Sequence, residues 1–177
     1  TDTEKGWVSF INFRYLTDNK QTDQLDYNPY IHKKSSIFWG SEIETERFET
    51  SVKLGYVFPE MPYKSFGLQF AYSDHKQNSY YGLKDYNIKH KSFYANLIFN
   101  SIISDTRNKI VTGLNSTFDD FDELVLNSNY TRNEKSIGAF FEYNYDNLDN
   151  LSLSAGVRVD AHNLLGTFIT PRLHVKY

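Results

Sequence analysis

Leu151-Ser-Leu-Ser-Ala-Gly-Val-Arg-Val-Asp160 alternates without a break. Leu151, Leu153, Ala155, Val157 and Val159 fall on one side, and Ser152, Ser154, Gly156, Arg158 and Asp160 on the other. Successive side chains of a strand point to opposite faces, whereas a helix would scatter these apolar residues around its axis. The stretch is a β-strand with one wholly apolar face. The same period recurs upstream. Residues 46–57 set Phe48, Val52, Leu54 and Tyr56 against Arg47, Glu49, Lys53 and Gly55, and residues 65–75 set Phe66, Leu68, Phe70 and Tyr72 against Gly67, Gln69 and Ser73. Residues 92–100 (Phe93, Leu97 and Phe99 against Asn96), 108–118 (Ile110, Leu114 and Phe118 against Lys109, Gly113 and Asn115) and 136–145 (Ile137, Phe141 and Tyr145 against Gly138, Glu142 and Asn144) follow suit. A less regular strand at 7–16 and a last one at 168–177 bring the expected number to eight.

The connections take turns as well. Residues 58–64, 101–107 and 146–150 are short, whereas 17–43, 76–91 and 119–134 are long and polar, with a modest 161–167. Short turns at one end and longer loops at the other are the layout of an outer-membrane barrel, which predicts an antiparallel up-and-down transmembrane β-barrel. On this reading 7–16 runs outward and 168–177 inward.

Composition fits a chain whose two faces meet different solvents. Aromatics make up 17% of the residues, 14 of them Tyr and 14 Phe, yet mean hydropathy is −0.57. A water-soluble core would favour Leu, Ile and Val, because each buried phenol needs a hydrogen-bond partner. No apolar run approaches the roughly 20 residues of a membrane helix. The net charge of −3 points to no nucleic-acid partner, and the absence of cysteine removes disulfides and thiolate metal sites. Thr1-Asp-Thr-Glu-Lys5 is polar and no secretory leader is visible, so an exported chain has either lost it or is an internal segment. A lipocalin-like barrel alternates too, with its apolar face inside. Glycine, serine, asparagine and mixed charges on the polar face suit a hydrated lumen, and aromatics at the strand ends suit interfacial girdles, so lipid outside is the expectation.

The stretch from Gly156 to Tyr177, with Gly156, Arg158 and Asp160 before an outer loop and Pro171-Arg172 on the descending strand, resembles the barrel of TonB-dependent outer-membrane receptors. Residues 109–123 resemble the Bacteroidetes-type members. The resemblance is good over 108–177 and extends to 46–100. It implies a barrel of about 22 strands closed around an N-terminal plug, and import of a scarce nutrient (an iron-siderophore, cobalamin or a metal complex) coupled to TonB through that plug. Residues 1–177 are then expected to be part of the barrel, in the bacterial outer membrane. Its partners would be outer-membrane lipid, the plug, the other strands and a small nutrient ligand. A self-contained eight-stranded barrel with a structural or adhesive role stays open as an alternative, as does a soluble ligand-binding barrel with reversed faces. Gly55, Gly67, Ser73, Gly113, Gly138, Ser152, Ser154 and Gly156 are too small to fill a closed interior of eight strands, which predicts that the first and last strands do not pair with each other.

Candidate sites follow from this topology. Arg158, Asp160, Arg172, His174 and Lys176 share the lumen-facing side of the last hairpin, where they could line a substrate path, contact a plug or simply pair across strands. Tyr27, Tyr30, Tyr80, Tyr81 and Tyr86 crowd the long loops, where exposed rings can stack on a flat ligand or pack the loops together. His75, His90 and His162 fall near the outer rim and are candidates for metal or haem contact; His162 joins the loop tyrosines as a ligand candidate. Asp119, Asp120, Asp122 and Glu123 offer oxygens for a cation or are solvated at a loop tip. Three Asn-x-Ser/Thr triplets read as chance. No nucleophile–base pair, phosphate loop or zinc-ligand spacing occurs, so neither an enzyme nor a bound cofactor is expected.

Overall fold

A computed structural model describes residues 5–177 of the chain; residues 1–4, and with them most of the polar start at which a leader was sought, lie outside it. Eight strands form one antiparallel sheet in chain order: β1 (Trp7–Asp23), β2 (Gly40–Val57), β3 (Ser65–Tyr81), β4 (Lys84–Ile103), β5 (Asp105–Val125), β6 (Ser128–Asp146), β7 (Ser152–His162) and β8 (Gly166–Lys176). Each pairs only with its chain neighbours. β1 and β8 are the two outer edges and do not meet among the described residues, as the small residues of the polar face predict.

The register carries the two-faced pattern across the whole sheet. One rung of the apolar face reads Trp7, Tyr56, Phe66, Phe99, Thr112, Phe141, Val157 and Pro171, and the next reads Ser9, Leu54, Leu68, Leu97, Leu114, Ala139, Val159 and Ile169. No second layer covers these side chains. Phe70, Leu97, Leu114, Phe141 and Val157 are all exposed, and Tyr80 is the only buried hydrophobic residue among those described. In water so much contiguous apolar surface would drive association.

The apolar band has edges. Towards the turn end of the sheet, which carries 58–64, Ser104 and 147–151, Trp7, Tyr56, Phe58, Phe66 and Phe99 form a chain of ring contacts 4.7–5.9 Å between centroids. Towards the opposite, loop end, Tyr15, Phe48, Tyr72, Phe93 and Phe118 mark a second row. One step beyond that row the same face turns polar: Thr17, Glu46, Asp74, Lys91 and Asp120 follow, and on β6 Lys135 follows Ile137. The boundary descends two rungs between β1 and β6.

The strands do not stop at this boundary, which corrects the expected loops. β3 and β4 continue to a two-residue turn at Gly82-Leu83, and β5 and β6 to one at Leu126-Asn127. Residues 76–91 and 119–134 are therefore mostly strand, standing about 30 Å beyond the band along the strand axis. Period-two hydropathy fades there because both faces are polar, but the backbone ladder persists. Only 24–39 is a long connection, and it holds the short helical turn α1 (Pro29–His32), capped by the Asn28 side chain on Tyr30 N at 3.0 Å. β7 and β8 turn earlier, at 163–165. Asn163 there substitutes for a strand, bonding Lys135 N at 2.7 Å and Asn133 O at 2.7 Å through its side chain.

Candidate functional site

Three places on the sheet gather polar chemistry. The first is the middle of the polar face on β4–β8. Gly138 on β6 stands between Asn115 on β5 and Asp160 on β7, and its missing side chain is what lets them approach. A Cβ there would lie 2.2 Å from Asp160 Oδ1 and 2.6 Å from Asn115 Oδ1. Arg158 grips Asp160 with two bonds, Nε to Oδ2 at 2.6 Å and Nη2 to Oδ1 at 2.7 Å, and reaches Asn115 Oδ1 at 3.0 Å. Asp160 is 3% exposed, so this carboxylate is satisfied by its neighbours rather than by water. Gly113 makes room in the same way for the Phe140 ring, an aromatic residue on the polar face that period-two reading passed over. Across Gly156, Arg172 Nη1 meets Glu142 Oε2 at 3.4 Å. These groups surround an open hollow of about 390 Å³ floored by Gly156 and walled by Tyr94, Asn96, Glu142, Arg158 and Arg172. His174 and Lys176 share the face but stand farther along β8, opposite Ser154 and Ser152, and join nothing.

The second place is the loop end of the same face. One rung there reads Leu16, Arg47, His75, His90, Phe121 and Arg132 across β1–β6. The His90 ring lies flat on Phe121, 4.1 Å between centroids at 4°, and the Arg132 guanidinium sits 3.9 Å over the same ring. Carboxylates answer both arginines and the imidazole: Glu49 holds Arg47 at 2.6 Å, Asp119 meets His90 at 2.9 Å, and Glu123 and Glu134 hold Arg132 at 3.0 and 2.8 Å. Sequence reading placed His75 and His90 near the rim without pairing them. Recognising Gly82-Leu83 as the turn, with Gly82 at φ +62°, would have set them opposite each other. His162 is the last residue of β7. Its Nδ1 accepts from Leu164 N at 3.1 Å and Leu165 N at 3.3 Å, closing the β7–β8 turn.

The third place is on the other face, where 24–39 folds back against the loop ends of β2–β4. Tyr27 lies over Gly40, whose Cβ would meet its ring at 2.5 Å, and the Tyr27 and Tyr80 hydroxyls share a 2.8 Å bond. Lys33 bonds Glu42 at 2.7 Å, and Lys34 bonds Asp85 at 2.5 Å. The Lys33 bond holds the Glu42 carboxyl below its ordinary range and lifts the Lys33 ammonium above its own. Burial, then the Tyr27 bond, pushes the Tyr80 phenol up. Three of the five candidate tyrosines are thus on strands, not in loops. Tyr80 and Tyr81 end β3 and Tyr86 lies on β4; Tyr80 is buried on the outer side, while Tyr81 and Tyr86 share the polar face. Tyr30 is 96% exposed on α1. The carboxylates of 119–123 do not converge either: Asp119 and Glu123 take the polar face, Asp120 and Asp122 the opposite one.

No family model matches this chain, and no curated protein does. In fold it is similar to the siderophore receptor PirA from Pseudomonas aeruginosa, with a TM-score of 0.59 and 11% identity over 93% of this chain and 30% of that one. The chain spans about a third of the length of that receptor. An eight-stranded antiparallel sheet of the kind found in a receptor barrel is therefore the fold of this protein.

Proposed function

We propose that this chain is a wall segment of a bacterial outer-membrane receptor that binds a scarce nutrient, as an iron chelate, cobalamin or another metal complex, and imports it with energy delivered through TonB. The observation that carries the reading is the bounded apolar band on a sheet without a core: a face that no protein layer covers, edged by aromatic rows and then by charge, suits a hydrocarbon layer between two interfaces. Residues 1–177 then contribute part of the barrel. The polar face turns to the lumen, and the hollow around Gly156 is open to a plug supplied by the rest of the receptor. The fold neighbour comes from a pseudomonad, so the likeness of residues 109–123 to Bacteroidetes-type receptors rests on those residues alone. A closed eight-stranded barrel is disfavoured by the separation of β1 and β8, whose free edges would each leave backbone groups unsatisfied in lipid. The test uses the full-length receptor in vesicles, spin-labelled at Phe141→Cys and, separately, at Glu142→Cys. The label at 141 should collide with lipid-soluble oxygen and the label at 142 with a water-soluble nickel chelate. Equal accessibility at both sites would remove the membrane reading.

A further inference from the structure

His75 on β3 and His90 on β4 stand directly opposite each other on the polar face, seven residues either side of the Gly82-Leu83 turn. Directly opposed residues in an antiparallel pair have Cβ atoms about 4.5–5.5 Å apart, within reach of placing one imidazole nitrogen each at about 2.0–2.1 Å from a shared ion. Each ring has one feature that suits this. An ionised Asp only accepts, so in the neutral imidazole the 2.9 Å contact between His90 Nε2 and Asp119 Oδ1 puts the proton on Nε2 and leaves a lone pair on Nδ1. A histidine that ligates a metal generally anchors its other N–H on a carboxylate in this manner, and the flat stack on Phe121 fixes the ring plane as well. His75 offers the matching half: its Nδ1 is buried and has no hydrogen-bond partner.

We propose that His75 and His90 form a two-imidazole clamp for a late first-row divalent ion, of which Cu²⁺ binds most tightly and Ni²⁺ and Zn²⁺ less so, with Asp119 as the positioning residue behind His90. Hard cations such as Ca²⁺ and Mg²⁺ want six or more oxygens, and no such set converges here among the described residues. No group of three or more donors converges among the described residues, so the clamp supplies two positions and leaves the others to water or to a chelator arriving with the ion. Two protein donors suit an ion that is received and passed on, not one that is retained. This inference rests on the receptor reading for its direction, since the clamp then faces the lumen near the outer mouth and the cargo is a transition-metal ion or its complex. The binding itself does not depend on that reading.

The experiment is a Cu²⁺ titration of the detergent-solubilised full-length receptor, read by electron paramagnetic resonance and by equilibrium affinity, on the wild type, His75→Gln, His90→Gln and Asp119→Asn. The wild type should hold one Cu²⁺ whose spectrum carries the splitting of two imidazole nitrogens. Either histidine variant should lose one nitrogen and bind at least about tenfold more weakly, while Asp119→Asn should keep both nitrogens and weaken binding about 10- to 100-fold. Retention of the barrel by the variants is checked by their resistance to unfolding in cold detergent. Wild-type affinity and splitting in both histidine variants, or a wild-type spectrum without nitrogen splitting, overturns the clamp. Clamp binding without receptor-dependent metal accumulation in cells refutes import and leaves the clamp standing. Receptor-dependent uptake of an iron chelate with no Cu²⁺ binding does the reverse.

Discussion

Gly138→Ala and Gly67→Ala make the same chemical change on the same face of the sheet and should have opposite effects. At Gly67 a new Cβ meets nothing within 4 Å, whereas at Gly138 it would lie 2.2 Å from Asp160 Oδ1 and 2.6 Å from Asn115 Oδ1. Ordinary contact begins at 3.4 Å, and neither oxygen is the tip of a free side chain. Asp160 is 3% exposed and held by both Arg158 bonds, so it yields only by giving those bonds up. Hydrogen bonds to charged groups contribute about 1.5–3 kcal/mol each. The Arg158 side chain is 43% exposed, so water recovers part of that. With the usual cost of overpacking, about 1–3 kcal/mol, the expected loss at Gly138 is about 2–4 kcal/mol. Gly67→Ala should be neutral or stabilising by up to about 1 kcal/mol, because alanine restricts the unfolded chain. The assay is reversible denaturant unfolding of the full-length protein in vesicles. A second measurement, Gly138→Ala in an Asp160→Ala background, should cost less than half as much. Equal effects at the two glycines, or an undiminished cost without Asp160, would refute the reasoning.

Val157 sits at the centre of the apolar stretch of β7, four residues from both Leu153 and Ala161; Val157→Arg should cost about 2–4 kcal/mol in the same assay, while Ser154→Arg on the polar face should cost under about 1 kcal/mol, and similar losses at both would contradict the face assignment. The 24–39 connection should be pH-sensitive at two extremes. Glu42 is depressed in the folded state, so its contribution is present above its ordinary value near pH 4 and is lost as pH falls through the lowered one; Lys33 and Tyr80 are raised, so theirs is present below about pH 10 and is lost as pH rises beyond it. Trp39 fluorescence should therefore stay flat between these limits and change outside both, whereas a change centred near pH 6–7 would contradict the assignment. Asn163→Ala removes two side-chain bonds to the edge of β6 and should speed exchange of the Lys135 amide about tenfold without altering the Val159 amide.

Face assignment was legible along the apolar band, Phe140 excepted, because it needs only period two and one apolar side. Phe141 and Glu142, or Val157 and Arg158, separate on sight. Strand ends were not legible, since beyond Phe48, Tyr72, Phe93 and Phe118 both faces are polar and hydropathy no longer reports the ladder; Gln77, Asn78 and Ser79 read as a loop and are strand. The candidate site was half visible. Arg158 and Arg172 do line one hollow and Asp160 anchors Arg158 beside it, yet what admits Asp160 is Gly138, and its role depends on a register that no single strand reveals. The rung of Arg47, His75, His90, Phe121 and Arg132 was hidden for the same reason: its members lie on five strands and meet only once the turns between them fix the pairing. Tyr80 and Tyr81 show the limit at its sharpest, being adjacent in sequence and on opposite faces.

The descending aromatic boundary also measures an angle. From Tyr15 on β1 to Ile137 on β6 the edge of the apolar band falls by two rungs, four residues, across five strand spacings. At about 3.3 Å per residue and 4.8 Å per strand, that is a fall of about 13 Å over 24 Å, a slope of about 30°. Strands standing upright in a membrane would keep the edge on one rung. The stepped fall instead means that the strands lean relative to the layer the edge follows, somewhat less than the roughly 35–45° of outer-membrane barrels. Lean of this kind sets the shear at which a curving sheet returns to its own first strand. On the receptor reading proposed above, this edge bears on how far each strand slips past the last before the wall closes.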